Sequence, residues 1–242
     1  MIVVVGMVFE ARIAASLGAP VICGGDGKTL AASLTRAMAA GCSGLISFGV
    51  AGGLSPQLQP GACVIGSAIL DGDERRITDA RWAQRLLRII PGAVHGAIVG
   101  VREPIAHADA KRVLYEKTGA VAVDMESHVV ARAAAHHGVP VAAIRVIVDP
   151  VKRTIPRSAL AGSQPDGTID PFAVVKSLAR NPGDFLGLVR MALDTRAARA
   201  TLVRGSALLG PGLGLVTTGA QRRPGIALAI DEVTVRAATI AE

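Results

Sequence analysis

Two apolar runs in the middle of the chain, Ala120–Val123 and Val139–Val148, give way abruptly to carboxylates: Asp124 and Glu126 after the first, Asp149 after the second. Open α/β sheets bind ligands beyond the carboxyl ends of their strands, where an acid can transfer a proton, grip sugar hydroxyls or stabilise a developing positive charge. Ordinary structural roles compete with each. Asp124 and Glu126 open a helical stretch, where an acidic side chain caps free N–H groups or complements the helix dipole. Asp149 suits that role least, because it ends a strand and precedes Pro150, which biases it toward extended backbone at a cleft. Arg145 is a cation inside an otherwise apolar run. It could position Asp149, neutralise the carboxylates, or form a buried structural ion pair.

The lengths and β-branched content of the two runs predict buried strands, and Met125, Val129, Val130 and Ala133 have helical spacing between them. Residues 120–149 therefore read as one βαβ unit with parallel strands, its two strand ends at one edge. Upstream, Ile2–Val5 predicts a first strand, followed by a helix from about Val8 to Leu17 in which Glu10 reads as a surface residue. After a short strand at Val21–Cys23, GGDGKTLAA at 24–32 is a glycine-rich turn into a helix reaching about Gly41. Its amides could cradle an anion, although it lacks P-loop spacing. Leu45–Phe48 is a strand, and the glycines of GVAGG at 49–53 serve either close backbone approach to a ligand or a tight turn. Then come a strand at 62–70, an exposed loop at 71–76, a helix at Arg81–Ile90, a strand at Ala93–Val101 and a helix at His107–Lys117.

Beyond Asp149 the pattern predicts a loop over 150–170 and helices over 171–180 and 183–203. There Phe172, Val175, Leu178, Phe185, Leu186, Leu188, Val189, Met191 and Leu193 stand among Lys176, Arg180, Arg190, Arg196 and Arg199. By pattern a core-facing apolar stripe with a solvated basic face accounts best for that spacing, and a basic, apolar rim suited to an anionic bilayer surface is the alternative. Residues 1–204 read as one domain, and 205–242 as a Gly/Pro-rich linker and marginal tail.

With 242 residues and 50% hydrophobic content, the chain can bury the core of one α/β domain. At 2% aromatic residues that core is Ala, Val, Leu and Ile, without the aromatic platforms of single-strand nucleic-acid binders. The net charge of +7 is scattered without a dense run or a nucleic-acid motif, which favours solubility or an anionic membrane surface over a nucleic-acid partner. Cys23, Cys42 and Cys63 lack CxxC spacing and read as reduced. The five histidines lack HxxxH spacing, so no metal site is expected, and without a GxSxG elbow a serine hydrolase is unsupported. The N-terminus lacks signal-peptide character and no apolar stretch is long enough to span a bilayer. A cytoplasmic location follows, with peripheral contact allowed at the inner face of the membrane.

VDMES at 123–127, followed by RVIVD at 145–149, resembles the purine nucleoside phosphorylase and methylthioadenosine nucleosidase superfamily. Residues 149–185 are similar to its hopanoid-associated branch. The resemblance implies a three-layer αβα sandwich with a mixed central sheet, a homo-oligomer, no cofactor, and phosphate as co-substrate only if the reaction is a phosphorolysis. It implies N-glycosidic cleavage of a purine nucleoside, with Asp149 as acid at the purine N7, Glu126 on the ribose hydroxyls and Glu10 activating water. Val50, Ala51 and Gly52 would line the base and ribose together with Met125 and Arg145. Departures stand beside these matches. Val148 occupies the place of a serine, Pro104 that of a stacking aromatic, and Ser47 and Val50 those of the phosphate-holding residues. Gly25, Gly27, Arg12 and Lys28 offer a substitute phosphate cradle, so water and phosphate both stay open as nucleophile. The branch implies adenosylhopane as substrate, a lipid-linked purine nucleoside. About a dozen residues between Glu10 and Gly24 leave no room for an extra hairpin over the ribose 5′ side. A general methylthioadenosine/S-adenosylhomocysteine nucleosidase, a purine nucleoside phosphorylase, a nucleoside-binding sensor and a membrane-surface adaptor are the alternatives.

Overall fold

Alternating burial builds the core. In the computed structural model, which describes residues 1–24, 27–164, 166–210 and 212–215, Val3 and Val5 of β1 (Ile2–Val5) face one helical layer, and Ile2 and Val4 face the other. The first layer comprises α1 (Val8–Ala14), α3 (Ala80–Ile89) and the second half of α8 (Phe185–Leu209), through Ile13, Trp82, Leu86, Ala198 and Leu202. The second is α2 (Gly27–Ala39) with α5 (Ser127–His137), through Leu30, Leu34, Val129 and Val130. The result is a three-layer α/β fold with a mixed sheet.

That sheet is made of β1, β2 (Val21–Cys23), β3 (Leu45–Gly53), β4 (Cys63–Asp71), β5 (Glu74–Ile77), β6 (Val94–Gly100), β7 (Ala122–Asp124) and β8 (Val141–Asp149). Its order is β2-β1-β3-β7-β6-β4-β5, and β8 pairs both β3 and β4. The pairings β3–β7–β6–β4–β8–β3 therefore form a closed circuit, with β1, β2 and β5 outside it. No helix among the described residues is long and apolar enough to cross a membrane.

The circuit corrects the expected βαβ unit. β8 runs parallel to β3 but β7 runs antiparallel to it, so β7 and β8 point in opposite directions. β7 instead follows β6 in parallel. Because β7 opposes β3 from Gly52↔Val123, the residues after Val123 pass back along β3 while Asp149 stands at Gly52. The carboxylates are thus distributed along the last residues of β3 rather than gathered at one sheet edge.

Other elements also differ from their sequence patterns. GVAGG is a continuation of β3 and not a turn, and residues 74–77 form β5, hairpinned on β4. Residues 157–162 of the expected loop are a short helix, α6 (Arg157–Gly162). α8 continues past residue 203 to Leu209, and the chain beyond it reaches the core, where Leu213 is buried and its carbonyl accepts from Trp82 Nε1 at 2.7 Å. The expected core-facing stripe is overturned: α7 (Pro171–Arg180) buries no residue, and α8 buries none before Asp194. Phe172, Val175, Phe185, Leu186, Val189 and Leu193 are exposed among exposed Lys176, Arg180, Arg190 and Arg196. Gly25 and residues 216–242, which include the weak alternation of the predicted tail, lie outside the described residues.

Candidate active site

Arg145, mid-strand in β8 opposite Gly49 of β3, has no solvent exposure. A buried guanidinium must be matched by acids and acceptors on every side, and here it is. Nε meets Asp124 Oδ2 at 2.5 Å, and Nη2 reaches Ser47 Oγ at 2.6 Å and Glu126 Oε2 at 3.3 Å. Nη1 donates to the Val50 carbonyl at 3.3 Å. Burial opposes the guanidinium's charge, but Asp124, Glu126 and Glu10 outweigh it and hold its pKa above the ordinary value. Asp124 also accepts from the Ser127 amide at 3.1 Å and from the Ser127 hydroxyl, so it caps α5 and anchors Arg145 at once.

Glu10 is not the surface residue its helical pattern suggested; it is 1% exposed. Its carboxylate accepts from the amides of Gly6 (2.8 Å), Met7 (2.9 Å) and Val50 (2.6 Å), closing a capping box at the start of α1 and bridging α1 to β3. Burial raises its pKa, against Arg145 and those amides, which lower it. Burial likewise pushes Glu126 up to about 7, opposed by Arg145 and assisted by Asp124 and Glu10.

Three glycines supply the space. A Cβ on Gly6 would stand 2.6 Å from Glu126 Oε1, one on Gly49 2.5 Å from Glu10 Oε1, and one on Gly52 3.3 Å from Asp149 Oδ2. Gly49 also takes φ +152, a conformation that side chains other than hydrogen resist. Gly49 and Gly52 are three residues apart on β3, which at strand spacing sets the seats of Glu10 and Asp149 about 10 Å apart.

Asp149 reaches its seat through a β-bulge: Ala51 opposes Ile147, and Gly52 opposes Asp149, leaving Val148 as the extra residue. Burial raises its pKa and Lys111 of α4 (Ala108–Thr118) lowers it through an ion pair with Oδ2. Asp149 lines a cavity of about 340 Å³ together with Arg153, Ile155, Gly187, Arg190 and Met191. The structure thus corrects Arg145 as a partner of Asp149, because Lys111 fills that place.

The remaining predicted residues divide. Val50 and Gly52 are half-buried and Ala51 buried on β3, and Met125 is exposed between β7 and α5. Pro104 is exposed in the β6–α4 loop, whose Ala106 carbonyl accepts from the Ile155 amide at 2.8 Å, beside the cavity. Gly27 opens α2 and is exposed, as are Lys28 and Arg12. Lys111, Ser127 and the anchoring role of Asp124 escaped the sequence reading. The one signal for Asp124 was its place three residues before Ser127, which fits a cap and an ion pair equally.

A family model of the phosphorylase superfamily matches residues 16–164, more than half of the chain. The chain belongs to the phosphorylase superfamily. No curated protein matches it by sequence. Among solved structures, S-adenosylhomocysteine nucleosidase from Streptococcus pyogenes aligns at TM-score 0.56 and 17% identity, covering 62% of this chain and 84% of that one. The Campylobacter jejuni 5′-methylthioadenosine/S-adenosylhomocysteine nucleosidase aligns at 0.59 and 14%, covering 86% and 96%. Futalosine hydrolase from Helicobacter pylori aligns at 0.58 and 15%, covering 85% and 96%. These likenesses establish the fold.

Two outcomes follow from the packing. Gly49→Ala would drive the Glu10 carboxylate off its amides, leaving buried donors unmatched at about 1–3 kcal/mol. Gly183→Ala, where a Cβ meets nothing within 4 Å, stays within about 0.5 kcal/mol of the parent. Denaturant unfolding separates the two, and equal stability would refute the seat at Gly49. Glu126 is ordinarily half-titrated at 4.5 in an unfolded chain and at about 7 here. The folded state therefore holds the proton more tightly, and that contribution is complete below about pH 4.5 and lost as pH rises through 7. Stability falls across that window, and Glu126→Gln flattens the slope in part, with Glu10 and Asp149 supplying the rest. An identical slope in Glu126→Gln and parent would remove Glu126 as the titrating group.

Proposed function

We propose that the protein cleaves the N-glycosidic bond of a purine nucleoside. The observation that carries this reading is the convergence of three carboxylates on one neighbourhood of the sheet, Glu10 against Gly49 and Asp149 against Gly52 of β3, and Glu126 against Gly6 just after β1. As the C1′–N9 bond breaks, its electron pair goes to the purine and positive charge grows on the ribose. Asp149, whose pKa burial raises, gives a proton to N7 of the leaving base. Glu126 holds the ribose hydroxyls and its anion supports the oxocarbenium. Water attacks C1′, and Glu10, whose pKa burial raises, takes its proton. Water is preferred over phosphate because Gly27, Lys28 and Arg12 are exposed rather than walled into an anion pocket.

The finer reading is adenosylhopane as substrate, with peripheral contact to an anionic bilayer. It is supported by the resemblance at 149–185. Between Glu10 and Gly24 the chain makes only α1, a 3-10 turn and β2, with no hairpin over the ribose 5′ side. The exposed apolar residues of α7 and α8, interleaved with cations, adjoin a cavity that α8 itself lines through Gly187, Arg190 and Met191. Such a face suits a substrate drawn from a lipid surface.

Adenine release measured on Asp149→Asn should fall about 10²–10⁴-fold, with KM changed far less. Turnover near that of the parent would sink the acid assignment. Adenosylhopane in liposomes should release adenine more efficiently than methylthioadenosine, S-adenosylhomocysteine or adenosine, without phosphate and with a free ribose product. Better efficiency on the soluble nucleosides would discard the lipid substrate, and an obligatory phosphate with a ribose 1-phosphate ester would replace water as nucleophile.

A further inference from the structure

Lys111 is the one fully buried residue of α4. Its Nζ donates to Asp149 Oδ2 and to the carbonyls of Arg153 (3.0 Å), Asp149 (3.3 Å) and Pro150 (3.4 Å). Those four acceptors surround an ammonium that has three protons to give. A buried ammonium also needs a counter-charge, and Asp149 is the carboxylate that its Nζ meets. Asp149 in turn sits buried at the cavity wall, with Oδ2 held by Lys111. From the other elements, Asp194 of α8 faces Asp149 and is itself paired with Arg153, while Lys152 and Arg190 stand in the cavity lining.

We propose that Lys111 is the positioning residue of Asp149: it pins Oδ2, turns the second oxygen toward the leaving base, and sets the pH range over which the acid works. This rests on the reading of Asp149 as the acid. A simple staple between α4 and the end of β8 would affect stability alone, whereas a positioning residue also controls the pH profile. An opposite charge at this distance lowers a carboxyl pKa by about 1–3 units. Removing the ammonium while leaving the burial therefore moves the alkaline limb of kcat/KM, where the acid loses its proton, to higher pH.

The test uses the full chain and adenine release from methylthioadenosine, with adenosylhopane in liposomes as second substrate. Lys111→Met should shift the alkaline limb upward by about 1–3 pH units and lower kcat about tenfold or more with little change in KM. In an Asp149→Asn background the same substitution should leave kcat within about twofold, since residues acting as a unit are not additive. An alkaline limb unmoved in Lys111→Met overturns the proposal. Should that variant fail to fold, Lys111→Arg decides: it keeps the charge and the limb, and its displaced, planar donors lower kcat more than they alter KM. Parental kcat and KM in Lys111→Arg overturn the positioning role. A fully active Asp149→Asn removes the acid reading itself, while an inactive Asp149→Asn beside an unmoved limb removes only the role of Lys111.

Discussion

Everything near the candidate site depends on one buried cation. Arg145 enters a strand whose neighbours are Val, Ala and Ile, and without partners its burial would be prohibitive. Asp124, Glu126, Ser47, Ser127 and the Val50 carbonyl make it tolerable, and they come from β7, α5 and β3. The arrangement works in both directions, because the carboxylates would repel one another without Arg145. Removing one member of such a buried group costs about 3–5 kcal/mol, far above the value of an exposed pair. The network therefore holds β3, β7 and β8 in the one register that also seats Glu10 and Asp149.

The local signals in the sequence were strong where one physical cause acted alone. Apolar runs of Val, Ile and Ala located β1, β3, β6 and β8, and helical spacing located α2, α3, α4 and α7. Pairing direction was not legible, because a short buried strand such as β7 carries no mark of its neighbours. Gly49, Gly52 and Gly53 looked like a tight turn or a place of close approach to a ligand; their reason is the bulk of carboxylates and neighbouring strands arriving from elsewhere in the chain. Lys111 was invisible for a related cause. Its position in α4 is that of any solvated lysine, and only the fold places the turn after β8 over its ammonium.

The apolar content of α7 and α8 shows the opposite failure. Periodicity correctly identified helices but assigned their apolar residues to the core, whereas the core is already filled on that side by α1, α3 and the second half of α8. What remains outside is an apolar face carrying positive charge next to the Asp149 cavity. The face and the cavity share α8.

The closed circuit of strands has a kinetic meaning. β8 must find β3, whose first residue Leu45 pairs with Val141, and must also find β4, so the ring cannot shut until most of the chain has been made. Pairings of such sequence separation are slow to form, because chain entropy is spent before the contact repays it. Arg145 lies on that strand, and its acids lie on segments that precede it in the chain. Until β8 docks, Asp124 and Glu126 lack the guanidinium that pairs with them in the folded sheet. Arrival of β8 completes the sheet and neutralises the cluster in a single event.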